Sequence, residues 1–212
     1  MKKSELETVT LRIIAGHLRS RKIQFACDRR TRPMKDRTRE AVMNLMGGTI
    51  KGMLAFDLFG GSGVLAFESI SRGASRAVIW EILRQGATTI ERIASELGIR
   101  DQVLVLPTDV FRWTEDIGEN LQKIGIPTSA KPDEATSPPP PWMIFCCPPY
   151  AFWESEGAAL MTLVSTWYEA SPKGSLIAVE LEAKTPDHAL PSGPDWDIRI
   201  YSPAKIAIAE KE

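Results

Sequence analysis

The sequence predicts an α/β fold with a mostly parallel, seven-stranded β-sheet, a terminal antiparallel pair of strands and an N-terminal β-hairpin. Short apolar runs alternate with helical patterns between about residues 53 and 181, which is the order of βα units in a parallel sheet. In the stretch 198–210, apolar and polar residues instead alternate on both sides of Ser202-Pro203, a pattern typical of two antiparallel strands joined by a turn. Two apolar runs around a turn over Thr10–Ala26 predict the hairpin.

The first 35 residues predict a basic hairpin arm ahead of a main domain over 36–212. Residues 1–40 carry 12 Lys and Arg against 5 Asp and Glu, a net charge of +7, whereas the remainder of the chain carries −8. A basic segment ahead of an acidic body favours a polyanion as the partner of the arm. The alternative is a solvated leader of mixed charge. Arginines interleaved with apolar residues, as in LRIIAGHLRSRKIQF, favour a structured basic surface over a loose tail.

The main domain begins with a helix for which Asp36 is the expected N-cap and Gly47-Gly48 the stop. Five strands follow at 53–59, 77–81, 102–106, 142–146 and 175–181, with helices at 64–73, 83–98, near 110–124 and near 153–170. The stretch 126–141 contains six prolines and no apolar periodicity, which predicts a surface insertion before the fourth strand. A peptide ligand for a partner domain is the less favoured interpretation.

Composition narrows the class of protein. Hydrophobic residues make up 43% of the 212 residues and charged residues 25%, which is typical of a soluble globular protein. No apolar run approaches the ~18 residues that a membrane span needs, and no apolar signal core follows the first lysines, so a cytoplasmic protein without a membrane partner is expected. Three cysteines and two histidines, without ligand spacing, predict neither a disulfide framework nor a metal site.

A glycine-rich loop lies between the first strand of the sheet and the helix that follows it. FDLFGGSG places Gly60, Gly61 and Gly63 at a helix N-terminus, where free N–H groups and close backbone approach suit a nucleotide-type ligand. Glu81 ends the second strand, where its carboxylate can accept from both ribose hydroxyls, and Asp109 follows the third, within reach of an adenine amino group. Each is otherwise a common surface carboxylate, but three such features at successive strand ends predict a cofactor site.

The fourth strand ends in Cys147-Pro148-Pro149-Tyr150. Together with DLFGGSG, Glu81 and Asp109, this turn resembles that of a class I S-adenosylmethionine-dependent methyltransferase with a Rossmann-like fold. RIIAGHLRSRK (12–22), TRPMKDRTREAVMN (31–44) and LFGGSGVLAFESISRGA (58–74) more narrowly resemble the RsmD-like family, which methylates a guanine N2 in small-subunit ribosomal RNA. The resemblance covers most of the chain outside the Pro-rich insertion and weakens after about Glu182.

The resemblance implies a role for each matching residue. S-adenosylmethionine would be held by Asp57, Phe59, Gly60, Gly61, Ser62, Gly63, Glu81, Ile82, Asp109 and Val110, with the ribose on Glu81 and the adenine against Ile82. Phosphates of ribosomal RNA, free or in the small ribosomal subunit particle, would be bound by Arg12, Arg19, Arg21, Lys22, Arg29, Arg30 and Arg32. The catalytic turn would be Cys147, Pro148, Pro149 and Tyr150, whose ring would stack on the target base. A monomer is expected.

Cys147 departs from the family pattern, in which an Asp or Asn precedes Pro-Pro-Tyr/Phe. A side-chain oxygen and a backbone carbonyl at this turn would accept the N–H bonds of the amine, and a thiol is a weak acceptor. Cys147 therefore predicts either a slower enzyme, in which the Pro148 carbonyl carries the amine alone, or a non-catalytic RNA-binding or assembly factor. A third hypothesis, a Cys147 nucleophile attacking a pyrimidine C6, ranks far lower because no histidine is close in sequence.

Overall fold

The computed structural model describes residues 6–28, 33–47, 50–126 and 138–212. It contains a seven-stranded sheet of order β5-β4-β3-β6-β7-β9-β8 and a separate two-stranded hairpin, β1-β2. The strands are β1 Leu6–Arg12, β2 Lys22–Asp28, β3 Leu54–Asp57, β4 Arg76–Trp80, β5 Val103–Leu106, β6 Trp142–Cys146, β7 Leu176–Glu182, β8 Asp197–Tyr201 and β9 Ala204–Glu210. β3 to β7 are mutually parallel, and β9 runs antiparallel to both β7 and β8. The predicted fold class is confirmed.

Seven α-helices occur within the described ranges: α1 Asp36–Leu45, α2 Val64–Ser71, α3 Arg84–Leu97, α4 Val110–Glu115, α5 Ile117–Lys123, α6 Ala151–Ser155 and α7 Gly157–Ala170. Two of the predicted helices were wrong in extent. The helix near 110–124 divides at Asp116, and the helix near 153–170 divides at Glu156, two residues whose backbone leaves the helical conformation. Gly118 and Gly157 lie within two residues of these breaks, and the sequence interpretation did not use them as helix boundaries. No helix among the described residues is long and apolar enough to cross a membrane.

The hairpin packs against the helices that cover one face of the sheet. It extends beyond the predicted Thr10–Ala26 at both ends, and β1 ends at Arg12, before the predicted first run does. Ile13, Ile23 and Phe25 belong to one buried cluster that also contains Val42 of α1 and Ile208 of β9. The loop between β1 and β2 lies on the end of α2: the Leu18 N–H donates to Ser71 Oγ at 2.9 Å and the His17 N–H donates to the Ser71 carbonyl at 2.8 Å. The basic segment therefore has a fixed position on the main domain.

The opposite face of the sheet is rich in aromatic side chains. Phe56, Trp80, Trp142 and Trp167 are almost completely buried there, with ring centroids 4.9–6.2 Å apart. The Trp167 indole N–H donates to Thr114 Oγ1 at 3.0 Å, which satisfies a polar group inside this core. The two faces together bury both sides of the parallel strands, which accounts for their nearly continuous apolar sequences.

The strand order reverses at β3, since β4 and β5 lie on one side of it and β6 and β7 on the other. In open α/β sheets, ligands bind outside the carboxyl ends of the strands at such a reversal. The glycine loop after β3 and the Pro-Pro-Tyr turn after β6 therefore emerge side by side at the preferred edge. The central part of the predicted Pro-rich insertion, residues 127–137, lies outside the described residues.

Candidate active site

The glycine loop bends sharply away from β3 and back over β4. The Gly60 N–H donates to the Trp80 carbonyl at 2.7 Å, and the Gly63 N–H donates to the Gly60 carbonyl at the same distance. Gly63 has φ +74° at the N-terminus of α2, and a Cβ there would lie 2.9 Å from the Phe67 ring. A glycine is therefore required by both conformation and packing. Ser62 is buried, and its Oγ accepts from the Val64 N–H at 3.4 Å.

Glu81, directly after β4, is joined to the glycine loop. Its Oε2 accepts from the Gly61 N–H at 3.0 Å, and its Oε1 accepts from the Leu83 N–H at 2.9 Å. Ile82 and Leu83 beside it leave 63% and 67% of their surface exposed, an unusual state for large apolar side chains. The fold thus brings together two regions that are 20 residues apart and places a carboxylate next to an open apolar surface.

Asp57 at the end of β3 is a buried carboxylate with an unused acceptor. Its residue is 2% exposed, and its Oδ1 has no hydrogen-bond partner among the described residues. Burial, with a smaller contribution from the charge of Glu81, raises the pKa of Asp57 to about 7, although the backbone N–H groups of Phe59 and Ala66 oppose the shift. A buried carboxyl group of this kind retains an unmet demand for a donor or a cation.

Asp109 and Phe59 line the neighbouring strand ends. Asp109 caps α4 by accepting the Phe111 N–H on Oδ1 at 2.8 Å, and Val110, which follows it, is buried. The Phe59 ring meets Phe111 and Phe152 edge-on, with centroids 5.9 Å and 6.3 Å away. The Asp109 carboxylate therefore has a structural role in the helix start that the sequence did not reveal.

The turn after β6 is closed by its own backbone and by β7. The Pro149 carbonyl accepts from the Phe152 N–H at 2.9 Å, while Pro148 is buried and Pro149 is exposed. The Tyr150 hydroxyl donates to Glu180 Oε1 at 2.8 Å. Since the phenol is held at its tip, the ring has a defined orientation at the edge of the site.

The Cys147 thiol lies in an environment that disfavours its ionised form. Burial raises its pKa well above the usual value, and the negative charges of Glu180 and Asp57 raise it further. A cysteine nucleophile needs a lowered pKa or an adjacent base. The His17 ring lies instead against the Ser71 carbonyl, with its Nδ1 3.0 Å away. These surroundings count against the hypothesis of a Cys147 nucleophile.

Comparisons with known proteins agree with this geometry. A model of the family described as "Conserved hypothetical protein 95" matches residues 11–196. The chain belongs to this family, the RsmD-like methyltransferases. Ribosomal RNA small subunit methyltransferase D of Buchnera aphidicola is 35% identical over 101 residues, 48% of this chain and 52% of that protein. The match thus spans about half the length of that relative.

Two solved structures share the fold. The Escherichia coli protein yhhF superimposes with a TM-score of 0.71 at 20% identity, covering 96% of this chain and 99% of that one. An RNA methyltransferase from Salinibacter ruber, in complex with S-adenosyl-L-homocysteine, gives a TM-score of 0.53 at 15% identity, covering 85% and 94%. At these identities the likeness establishes the fold alone.

The residues at the carboxyl edge fit S-adenosylmethionine. The unpartnered, buried Asp57 oxygen suits a polar or cationic group, the Glu81 carboxylate suits hydroxyl donors, and the exposed Ile82 side chain suits a flat apolar ring. The positive end of the helix dipole at the start of α2 adds a favourable environment for a carboxylate. These residues therefore fit hydroxyl, cationic, carboxylate and flat apolar groups, which S-adenosylmethionine combines.

The predicted RNA-binding residues do not all have the same surroundings. Arg19 and Lys22 are exposed, and Arg21, also exposed, donates to the Glu96 carbonyl near the end of α3 at 2.8 Å. Arg12 forms an ion pair with Asp36 at 2.9 Å. The structure therefore brings Arg19, Arg21 and Lys22 together around the turn of the hairpin. Arg29, Arg30 and Arg32 lie outside the described residues.

Sequence reasoning missed one residue of this site. Glu180 lies on β7, contacts Tyr150, and was hidden within the apolar strand LIAVELE. Its signal was a charged residue between the buried Val179 and Leu181, a position where a charge is rare unless it has a partner. The N-cap of α1 was also predicted one residue late: Lys35 occupies that position, and Asp36 opens the helix, where it pairs with Arg39.

Proposed function

We propose that this chain methylates the exocyclic N2 amine of a guanine in small-subunit ribosomal RNA, using S-adenosylmethionine. The observation that carries the proposal is the adjacency of the glycine loop and the Pro-Pro-Tyr turn, which follow neighbouring strands β3 and β6 at the reversal of strand order. A cofactor on the loop and a base on the turn would therefore meet at one edge. The name of the Buchnera relative supports ribosomal RNA as the substrate.

The cofactor would be held by the residues from Asp57 to Gly63, by Glu81 and Ile82, and by Asp109 and Val110. When bound, S-adenosylmethionine supplies an electrophilic methyl group. The chain's own part is to exclude water, with the Phe59, Phe111 and Phe152 rings beside the loop, and to bring the acceptor nitrogen into line.

The guanine amine is a poor nucleophile because its lone pair is delocalised into the ring. Acceptors for its N–H bonds would position the nitrogen and favour the pyramidal form that can attack. In this proposal the Pro148 carbonyl supplies one acceptor, and the weak thiol acceptor at Cys147 lowers the rate. Tyr150, held through its hydroxyl, would stack on a base that has left its helix.

The hairpin would provide the RNA contact. Arg19, Arg21 and Lys22 are exposed on a segment whose position is fixed by Ser71, so their charges present a defined surface to phosphates. The proposed partner is ribosomal RNA or the small ribosomal subunit particle. The protein would act as a monomer in the cytoplasm, where that substrate is found.

A non-catalytic RNA-binding or assembly factor is the second candidate, and Cys147 is the observation that favours it. Mass spectrometry of nucleosides in the host's ribosomal RNA, with and without this gene, separates the two. Loss of N2-methylguanosine on deletion, restored by the gene, supports the enzyme. Unchanged modification together with a defect in subunit assembly would support the binding factor.

A Cys147 series tests the turn itself. Cys147→Asn introduces a strong oxygen acceptor, so single-turnover methylation of subunits from the deletion strain should rise by about tenfold, at the lower end of the value of a charge-assisted hydrogen bond. Cys147→Ser should give a smaller gain because its reach is shorter. Cys147→Ala, the control, should remain near the wild-type rate.

The opposite order would overturn this assignment. If wild type exceeds Asn, Ser and Ala, the sulfur itself takes part in the reaction. A covalent adduct between wild type and RNA containing a fluorinated pyrimidine would then identify Cys147 as a nucleophile.

A further inference from the structure

Glu180 is placed beside Cys147 by the register of two parallel strands. Cys146 on β6 pairs with Val179 on β7, so the next residues, Cys147 and Glu180, follow side by side. Side chains alternate along a strand, so Cys147 faces the same side as Phe145, and Glu180 faces the same side as Ala178. Phe145 and Ala178 belong to one buried cluster, and Cys147 packs against it. Both side chains therefore face the same side of the sheet, at its carboxyl edge.

The two carboxylate oxygens of Glu180 have different surroundings. Oε1 accepts the Tyr150 hydroxyl at 2.8 Å, and the strand beneath is held where the Trp153 indole N–H donates to the Glu180 carbonyl at 3.0 Å. Oε2 makes no hydrogen bond with a described residue. Unlike Asp57 Oδ1, it is not a fully buried atom without a partner, so it is accessible from the site. One oxygen is thus anchored, while the other remains available to a donor that enters the site.

We propose that Glu180 partly replaces the acceptor that Cys147 lacks: its Oε2 accepts an N–H of the target amine while its Oε1 holds Tyr150, and the rate stays below that of a turn with an oxygen acceptor at position 147. This rests on the proposed function, because it needs an amine substrate stacked at the Pro-Pro-Tyr turn. A carboxylate in a largely apolar surrounding is a stronger acceptor than a thiol, and it reaches the same position from the adjacent strand.

The carboxylate also provides a destination for the proton. The nitrogen lone pair forms the new N–C bond, and the electrons of the broken C–S bond stay on sulfur, which becomes an uncharged thioether. The nitrogen, now cationic, loses one proton to Glu180 Oε2, and this proton exchanges with water after product release. Charge and atoms balance without a further reactant.

Glu180→Gln separates this role from simple support of Tyr150. The amide oxygen can still accept the Tyr150 hydroxyl, but the negative charge is lost, so single-turnover methylation should fall about 10- to 100-fold. Cofactor affinity, measured by calorimetry, should not change. Glu182→Gln is the matched control, since Glu182 lies two residues along β7 and pairs with exposed Lys184 at 3.2 Å. It should retain the wild-type rate.

Two further variants sharpen the test. Tyr150→Phe removes the hydroxyl that Glu180 holds while leaving the carboxylate in place, so its loss should be much smaller than that of Glu180→Gln. Adding Cys147→Asn to Glu180→Gln should restore about tenfold or more, because the oxygen acceptor returns at position 147. A purely structural Glu180 would give wild-type rates in Glu180→Gln and no rescue.

A chemical readout independent of methylation tests the contact itself. The charge of Glu180 raises the pKa of Cys147, so Glu180→Gln should lower that pKa and accelerate alkylation of Cys147 by iodoacetamide. Peptide mass spectrometry assigns the reaction to Cys147. Unchanged alkylation would contradict the contact and overturn the inference.

The outcomes distinguish the two proposals. A wild type that methylates guanine N2, with Glu180→Gln equally fast, overturns the role of Glu180 alone. A wild type that transfers no methyl group to guanine N2 overturns the proposed function and, with it, this inference.

Discussion

At the scale of single residues, the site depends on carboxyl groups that differ in their surroundings. Glu81 is satisfied by two backbone N–H groups, whereas Asp57 is enclosed, with one oxygen lacking a partner. The consequence for Asp57 is a pKa raised to about 7, chiefly by burial. In the folded protein this group therefore binds its proton more tightly than in the unfolded chain.

This shift predicts a pH dependence of stability. Between about pH 4 and pH 7 the folded state holds a proton that the unfolded state has released, so the free energy of unfolding should fall as pH rises, by at most about 1.4 kcal/mol per unit. Asp57→Asn cannot ionise and should lack this component. Urea unfolding at pH 4.5, 6 and 8 without cofactor measures the difference.

Asp101→Asn, at an exposed carboxylate, is the control and should retain the wild-type slope. Parallel slopes for wild type and Asp57→Asn would show that Asp57 is ionised in the folded state throughout this range.

At the scale of elements, the hairpin loop is attached to α2 by close backbone contact. Gly16 has φ +80°, and a Cβ there would lie 1.8 Å from the Ser71 carbonyl oxygen. The hydrogen bonds from His17 and Leu18 to Ser71 depend on this approach. The chain can follow this path only with glycine at position 16.

Gly16→Ala should therefore destabilise the protein by about 2–4 kcal/mol, because backbone strain and steric overlap add together. Gly98→Ala is the matched control: Gly98 has φ +75° but nothing within 4 Å of its Cβ position, so only about 1 kcal/mol of strain is expected. Guanidinium unfolding measures both. Equal costs would mean that the hairpin loop does not lie against Ser71.

The hairpin also predicts the salt dependence of RNA binding. Replacing Arg19, Arg21 and Lys22 by alanine should weaken binding and reduce the slope of log affinity against log salt by up to about three, since each phosphate contact contributes roughly one. The control replaces Lys51, Lys123 and Lys173, which are exposed near the amino ends of parallel strands, opposite the site. Binding at several salt concentrations distinguishes a specific RNA surface from the effect of net charge.

Cofactor affinity should be the same in both triple variants. If RNA affinity is unchanged by the hairpin substitutions, Arg19, Arg21 and Lys22 are solvated surface charges that do not contact RNA.

At the scale of the whole molecule, a buried ion pair joins the hairpin, α1 and α2. Arg39 and Glu68 are both fully buried, with Nε and Oε1 3.2 Å apart. Glu68 Oε1 also accepts from the Ile14 N–H at 2.7 Å, and Arg39 donates to the Arg12 carbonyl at 2.7 Å. The two charged groups therefore satisfy the backbone at the point where the hairpin meets the main domain.

Arg39→Met should destabilise the protein by about 3–5 kcal/mol. It leaves the Glu68 carboxylate buried without its closest cation, and it removes the donor that the Arg12 carbonyl accepts from. The double variant Arg39→Met/Glu68→Leu should recover part of this loss. Lys123→Met, which breaks an exposed pair with Glu119 at 3.0 Å, should cost less than about 1 kcal/mol. Urea unfolding measures both variants. If Arg39→Met costs as little as Lys123→Met, the structural role of the Arg39–Glu68 pair is contradicted.

Much of the fold could be predicted because its signals are local. The alternation of apolar runs with helical periods predicted the order of strands and helices, and the FGGSG loop and the Pro-Pro-Tyr turn indicated which strand ends carry the candidate site. The helix breaks at Asp116 and Glu156 were not predicted, because the nearby Gly118 and Gly157 are compatible with a continuous helix and packing decides the backbone there. The capping role of Asp109 was equally hidden, because an aspartate between a strand and a helix gives the same sequence pattern whether it caps the helix or binds a ligand.

The sequence by itself determined the class of fold and the positions of the glycine loop and of Cys147 at the ends of two strands. Only the tertiary structure placed Glu180 beside that residue, through the β6–β7 register, and enclosed Arg39 with Glu68 beneath the hairpin. The physical reason is that backbone conformation follows from residues a few positions apart, whereas the neighbours of a side chain across a sheet depend on register and packing. Cys147 and Glu180 are 33 positions apart in the chain, and the pairing of two strands makes them neighbours.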